Sequence, residues 1–337
     1  MSGGGATCAG RWGAARVAAV VAGLLMGLLP DRAYADAALL LAEPYGRAGR
    51  LNPAGHVGVY LTRVCAESPT VLRRCQAGEA GVVISRYNRV NDLDWAAIPL
   101  IPYLYGVEQA EDVPAFATRE TVMALREAYR RSRLQAFVPD TAAGGRPDGN
   151  WFQLVGAAYD RNIFALSVRT TPEQDDALIV EMNGGDNRHR FNLLFRNCAD
   201  FARDLINRYH PRAIRGSSIA DFGLTTPKQI AKKLVGFAAK RPDVELTGYL
   251  IPQIPGSRQD SGSARGVMES LVKSKKYIVP LAIVQPWVPV GLAAGYLTSG
   301  RFSPQHHMTA AFEPVEIERR AQRAVEAYQD HEATAAP

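Results

Sequence analysis

The sequence predicts an α+β fold: a small antiparallel sheet packed against helices, with an extra helical region toward the C-terminal end. Three observations predict it. The runs HVGVYLTRV at 56–64 and GVVISRYNRV at 81–90 are rich in Val, Ile and Tyr, flank a short loop, and read as an antiparallel hairpin. Several later stretches carry apolar residues at helical spacing behind capping residues. With 337 residues, 47% of them hydrophobic and 21% charged, the chain has the composition of a globular protein with a sizeable core.

Residues 1–35 read as a signal peptide, in which Arg11 and Arg16 precede the apolar run VAAVVAGLLMGLL and AYA followed by DA offers a small-residue cleavage site. The mature chain then starts near Asp36, and the protein is exported, to the periplasm or beyond. An uncleaved anchor is the competing reading, but the run is short for a bilayer span and ends in Pro30. An oxidising compartment lets disulfides persist. Cys65 and Cys75 bracket the loop CAESPTVLRRC and are expected to pair, which leaves Cys198 as the odd thiol of the mature chain.

DAALLLAEPYG after the cleavage site is a short strand or helix, LNPAG a turn, and DWAAIPLIPYLYGVE a proline-broken buried loop or irregular edge. Thr118 caps an amphipathic helix over 118–137, with Val122, Leu125, Tyr129 and Leu134 on its apolar face. A second helix starts at Thr171-Pro172 and stops at Asn183-Gly184-Gly185. HRFNLLFRN reads as a strand, CADFARDLINRYH as a helix burying Phe201, Ala202, Leu205 and Ile206, and Thr226-Pro227 opens a further helix. The stretch 241–266 is rich in turn residues, with a mobile surface loop expected at 256–265. The apolar segment 277–297 follows Lys273, Lys275 and Lys276; Pro280, Pro286, Pro289 and Gln285 oppose a spanning helix, so it reads as a core or interface segment or as a peripheral membrane contact. The tail presents Ile317, Ala321, Ala324 and Tyr328 on one face of a docked surface helix. Domain limits follow: 36–215 as the core, and 216–337 as a C-terminal extension holding 277–297 and the terminal helix.

The formal charge of +6 is spread among acidic residues without long basic blocks, which argues against nucleic acid as a partner. No HExxH or CxxC spacing points to a metal site, and NGGDN ends a helix rather than cradling a phosphate, so no cofactor is expected.

The chemistry centres on RNCADF. Asn197 can cap the helix while Cys198 lies in its first turn, where unpaired N–H groups favour thiolate; Asp200 at the third position strengthens the cap but opposes that field. A buried, inert cysteine is the competing reading. Among the histidines, His331, His306 and His307 lie in the tail or a turn-rich stretch, His210 lies about three turns down the helix, and His189 lies too far along the chain before Cys198. His56, opening a strand after NPAG, is the one a packed helix could meet, although a solvent-facing turn histidine fits its spacing equally well.

GHVGVYL followed by FNLLFRNCADFARDL resembles the circularly permuted papain-like hydrolases, in particular the lecithin:retinol acyltransferase and NlpC-related superfamily, through H-x-G-[IV]-Y and, later in the chain, N-C-x-x-F. The resemblance implies a permuted papain-like core over 36–215, with Cys198 as nucleophile, His56 as base and an orienting polar residue on the next strand. An antiparallel hairpin brings the end of that strand, Ser85, Arg86, Tyr87 or Asn88, opposite His56. Asn88 is the first choice and Ser85 the second. The implied function is an exported thiol hydrolase that cleaves amide bonds (peptide or cell wall) or ester bonds, with acyl transfer to or from lipid as the close variant. The alternative is a non-catalytic envelope protein that binds peptide or lipid on the same fold.

Overall fold

A computed structural model describes residues 36–335 except 47–48, 50–52, 89, 91, 143, 146, 148, 189–190 and 217–219. The signal-peptide reading of 1–35 and His189 therefore lie outside the described residues. The run AALLLA is apolar on both faces because it becomes β1 (Asp36–Ala42), a strand with neighbours on each edge. β2 (His56–Leu61) pairs antiparallel on one side, and β7 (Ile163–Arg169) does so on the other. Beyond β2 come β5 (Val82–Ser85) and the edge strand β6 (Ala96–Pro99). Beyond β7 come β8 (Leu246–Ile251), antiparallel, and the two-residue β9 (Ala310–Ala311), parallel. The expected hairpin is thus β2 with β5, inside a seven-stranded mixed sheet larger than the small antiparallel one predicted.

Between them, β3 (Val64–Ser68) and β4 (Val71–Arg74) form a separate two-stranded ribbon. The predicted Cys65–Cys75 disulfide closes it. Its loop of ten residues' separation restricts the unfolded chain by about 3 kcal/mol on chain-entropy grounds. The double variant Cys65→Ala/Cys75→Ala is expected to lose about that much in denaturant titration; an unchanged midpoint would mean the ribbon is held by packing alone.

Helices cover both faces, as their apolar stripes require. One face of the sheet (Ala38, Leu40, Tyr60, Val83) packs on α1 (Leu100–Tyr105), α2 (Arg119–Arg133) and α9 (Pro314–Ala335). The other (Leu39, Leu41, Val57, Val59) packs on α3 (Pro172–Gly184), α4 (Cys198–Tyr209) and α5 (Pro227–Ala238). The caps predicted at Thr118, Thr171 and Thr226 all accept the expected backbone hydrogen bond. α9 also lays Val325 over the disulfide.

Four expectations change. DWAAIPLIPYLYGVE is regular over 96–105: β6 ends at Pro99, and Pro102 sits in the first turn of α1, where a missing N–H costs nothing. HRFNLLFRN is not a strand over its described part, because the Asn192 side chain accepts from Leu194 and Phe195 N–H at 2.9 and 3.2 Å and folds 192–196 into a turn. β8 emerges from the turn-rich stretch, and in the loop after it Ser261 Oγ donates to Glu43 at 2.6 Å. Segment 277–297 is not core: it forms α7 (Lys275–Val284) and α8 (Trp287–Gly295), preceded by α6 (Val267–Lys273), with most of its large apolar side chains in solvent. Among the described residues, no helix is long and apolar enough to cross a membrane.

Candidate active site

Asn197 fixes the start of α4 with every polar atom of its side chain. Its Oδ1 accepts from the N–H groups of Ala199 (2.8 Å) and Asp200 (3.1 Å), and its Nδ2 donates to the carbonyls of Leu193 and Thr225. Asp200 closes the reciprocal half of the capping box by accepting from Asn197 N–H. Arg86 steadies the same corner: it donates to Asp94 at 2.6 Å and to the Asn197 carbonyl at 3.4 Å, with its guanidinium over Phe201. Cys198 is left in the first turn with 9% of its surface exposed.

Three backbone N–H groups, those of Val57, Cys198 and Ala199, act on the sulfur to favour its thiolate form. Val57 is the residue next to His56, so packing α4 on β2 brings the thiol to the strand end where the imidazole lies. β2 extends past the end of β5, and the Val57 N–H is among the amides this leaves for the sulfur.

Two glycines make the geometry possible. Gly55 has φ of +76°, and a Cβ there would lie 2.3 Å from the Ala42 carbonyl oxygen, so the turn into β2 needs glycine. Gly58 faces Ser85 across the ladder, with its missing Cβ 3.4 Å from the serine Cβ. That space lets Ser85 turn toward His56. Ser85 Oγ donates to the Val57 carbonyl at 2.8 Å, so its proton is committed, and it accepts from His56 Nε2–H at 2.8 Å. The imidazole therefore carries its proton on Nε2 and keeps Nδ1 as the free base. Tyr87, two residues beyond Ser85, stacks on the ring at 4.9 Å.

The structure joins Ser85 to His56 at one end of β2, with Cys198 acted on by the adjacent Val57 N–H, while Asn88 is exposed in the turn after β5. Period two places Ser85 and Tyr87 on the face of His56 and turns Asn88 off it. His210 is committed to the Arg169 carbonyl at 2.8 Å, and His306 and His307 line a separate cavity. Two groups were not singled out by sequence. Tyr103 of α1 is buried against this end of the sheet, and Arg161, buried before β7, lies over the Tyr45 ring at 4.4 Å. Arg161 carries no local signal, since its neighbours there come from distant parts of the chain.

Burial dominates the electrostatics. It pushes the Cys198 thiol up to about 11, with Asp200 adding to the rise and the three N–H groups opposing it. Burial, and then the charge of Arg161, lowers His56 to about 3. The resting pair is therefore neutral thiol and neutral imidazole, not the ion pair that a helix N-terminus alone would favour. Such a site can attack a carbonyl only if the base takes the proton as the sulfur moves.

No protein family, curated protein or solved structure was found to match the chain.

Proposed function

We propose that the protein is an exported thiol hydrolase with a permuted papain-like core, in which Cys198 attacks an amide or ester carbonyl and His56 accepts its proton. The observation that carries the reading is the Ser85 hydrogen bond that fixes the imidazole tautomer at the strand end where Val57 N–H meets the sulfur. Nδ1 is the basic nitrogen. As the S–C bond forms, the S–H proton passes to Nδ1; the imidazolium then returns it to the leaving amine or alcohol, and water or another acceptor releases the acyl group. In this reading the Cys198 backbone N–H, which acts on the sulfur at rest, turns to donate to the developing oxyanion. Leu193, Leu194 and Phe195, exposed just before the nucleophile, favour a substrate with an apolar portion, so an acyl-lipid is weighed beside peptide or cell-wall amides.

The test is covalent. An aryl acetate incubated with the native, reduced protein at neutral pH is expected to leave one acetyl group on Cys198, read by intact mass and peptide mapping. His56→Ala should abolish the adduct while the thiol titre of the denatured chain stays the same. Alkylation by iodoacetamide should climb about tenfold per pH unit from pH 7 toward 9, because thiolate is the scarce species. A native thiol that neither acylates nor alkylates, yet reacts fully once unfolded, would instead support the non-catalytic binding protein.

A further inference from the structure

α7 and α8 present an unusual surface for a folded chain. Ile283, Val284 and Trp287 are 78%, 75% and 79% exposed, with Val279, Val288 and Val290 also in solvent around the break at Gln285-Pro286. Clustered exposure on this scale marks an interaction surface rather than scattered surface hydrophobes. With 10 and 9 residues the helices are about 15 and 14 Å long, half of a hydrocarbon core of about 30 Å, so they can lie in an interface but not span it.

The neighbouring cavity says what they would face. A hollow of about 990 Å³ lies between α5 and the segment after α8, and Thr298 and Gly300 on its rim follow directly on the exposed Leu297. Arg212, Arg215, Lys232, Lys233, Lys240 and Arg241 line it. Both carboxylates on its wall are engaged: Asp221 accepts from Thr226 Oγ1 and Met268 N–H, and Glu269 from Lys228 and Lys273 at 2.6 Å each. The cavity is therefore strongly positive. Crowding shows in Lys232, held below the usual lysine range by burial and then by Lys233 and Lys228.

We propose that the α7–α8 face and this basic cavity form one docking surface for a bilayer containing anionic lipid, the helices entering the interface and the cavity taking a lipid phosphate headgroup. An apolar patch alone would fit a second copy of the chain or a protein partner equally well. The cationic hollow, reached by the chain directly after the exposed Leu297, roomy enough for a headgroup and with both its carboxylates engaged, is what selects an anionic lipid surface. The proposal does not depend on Cys198 being reactive.

The full chain, with its Cys65–Cys75 disulfide intact, would be sedimented with vesicles of phosphatidylcholine and phosphatidylglycerol (3:1) and with phosphatidylcholine alone. Binding is expected only to the anionic vesicles. Ile283→Ser/Trp287→Ser, both in solvent and harmless to the core, should weaken it about tenfold or more. Lys233→Glu/Lys240→Glu should weaken it at least as much, since each cation near an anionic surface is worth about fivefold. No sedimentation, equal binding to both vesicles, or binding indifferent to both variants overturns the proposal. So does light scattering that finds a lipid-free dimer which Ile283→Ser/Trp287→Ser converts to monomer, since the occupant is then a second copy.

Discussion

Replacing His56 by alanine is expected to lower kcat/KM for an acyl ester by about 10²–10⁴-fold, the range that general-base catalysis supplies. The effect should lie at the high end, because the thiol is neutral until about pH 11 and the protein holds no reserve of thiolate to fall back on. The pH profile carries the sign. A base lowered to about 3 keeps its lone pair far below the ordinary histidine range, so the acid limb should lie well under pH 6, and the thiol should give no alkaline change before pH 9. Steady-state rates between pH 4 and 10 check both points; an acid limb centred near 6.5 would show that the imidazole is solvated and ordinary. The same burial has a stability consequence of fixed direction. A histidine depressed in the folded state contributes stability that is present above 6.5 and lost as pH falls from there toward 3.

Arg126→Leu should be the most damaging single change to the fold outside the sheet. Its guanidinium, 1% exposed, donates to the carbonyls of Val155 and Gly156 at 2.9 Å and to Asp160 at 2.7 Å. Leucine would leave two buried carbonyls without that donor and strip Asp160 of its better partner, although Arg258 stays within 2.7 Å of the second carboxylate oxygen. A loss of about 3 kcal/mol or more follows from uncompensated buried polar groups. Arg131→Leu on the same helix, whose ion pair with Glu127 is solvent-exposed on the arginine side, should cost under about 1 kcal/mol. Equal losses in urea titrations of the two variants would refute the assignment.

The parts of this molecule that could be read from its sequence are those specified by neighbouring residues. Caps at Thr118, Thr171, Asn197 and Thr226 place four helix starts, and the disulfide follows from two cysteines around one turn. Where a side chain serves a distant segment, the local pattern misleads. Arg126 and Arg130 look like the wet side of an amphipathic helix, yet Arg126 is buried against Val155, 29 residues later, and Arg130 against Val138 and the Trp151 ring. Asn192 breaks an apolar run that would otherwise pass for a strand. β8 is hidden among turn residues because it includes Gly248, where a Cβ would lie 2.0 Å from the His307 carbonyl oxygen. At the site, the order of His56 and Cys198 was visible, while the preference for Asn88 over Ser85 put chemical type ahead of strand parity.

The location of β2 also determines which part of the site can yield. Flanked by β1 along its length and by β5 over its second half, it belongs to the rigid frame, and its ladder amides should exchange with deuterium only when the whole sheet opens. The sulfur, by contrast, hangs from a helix whose lead-in, 191–196, is a solvent-facing turn joined to the body through Asn197. Any breathing that uncovers the thiol would therefore occur as fast exchange in that short turn, with the imidazole side standing still.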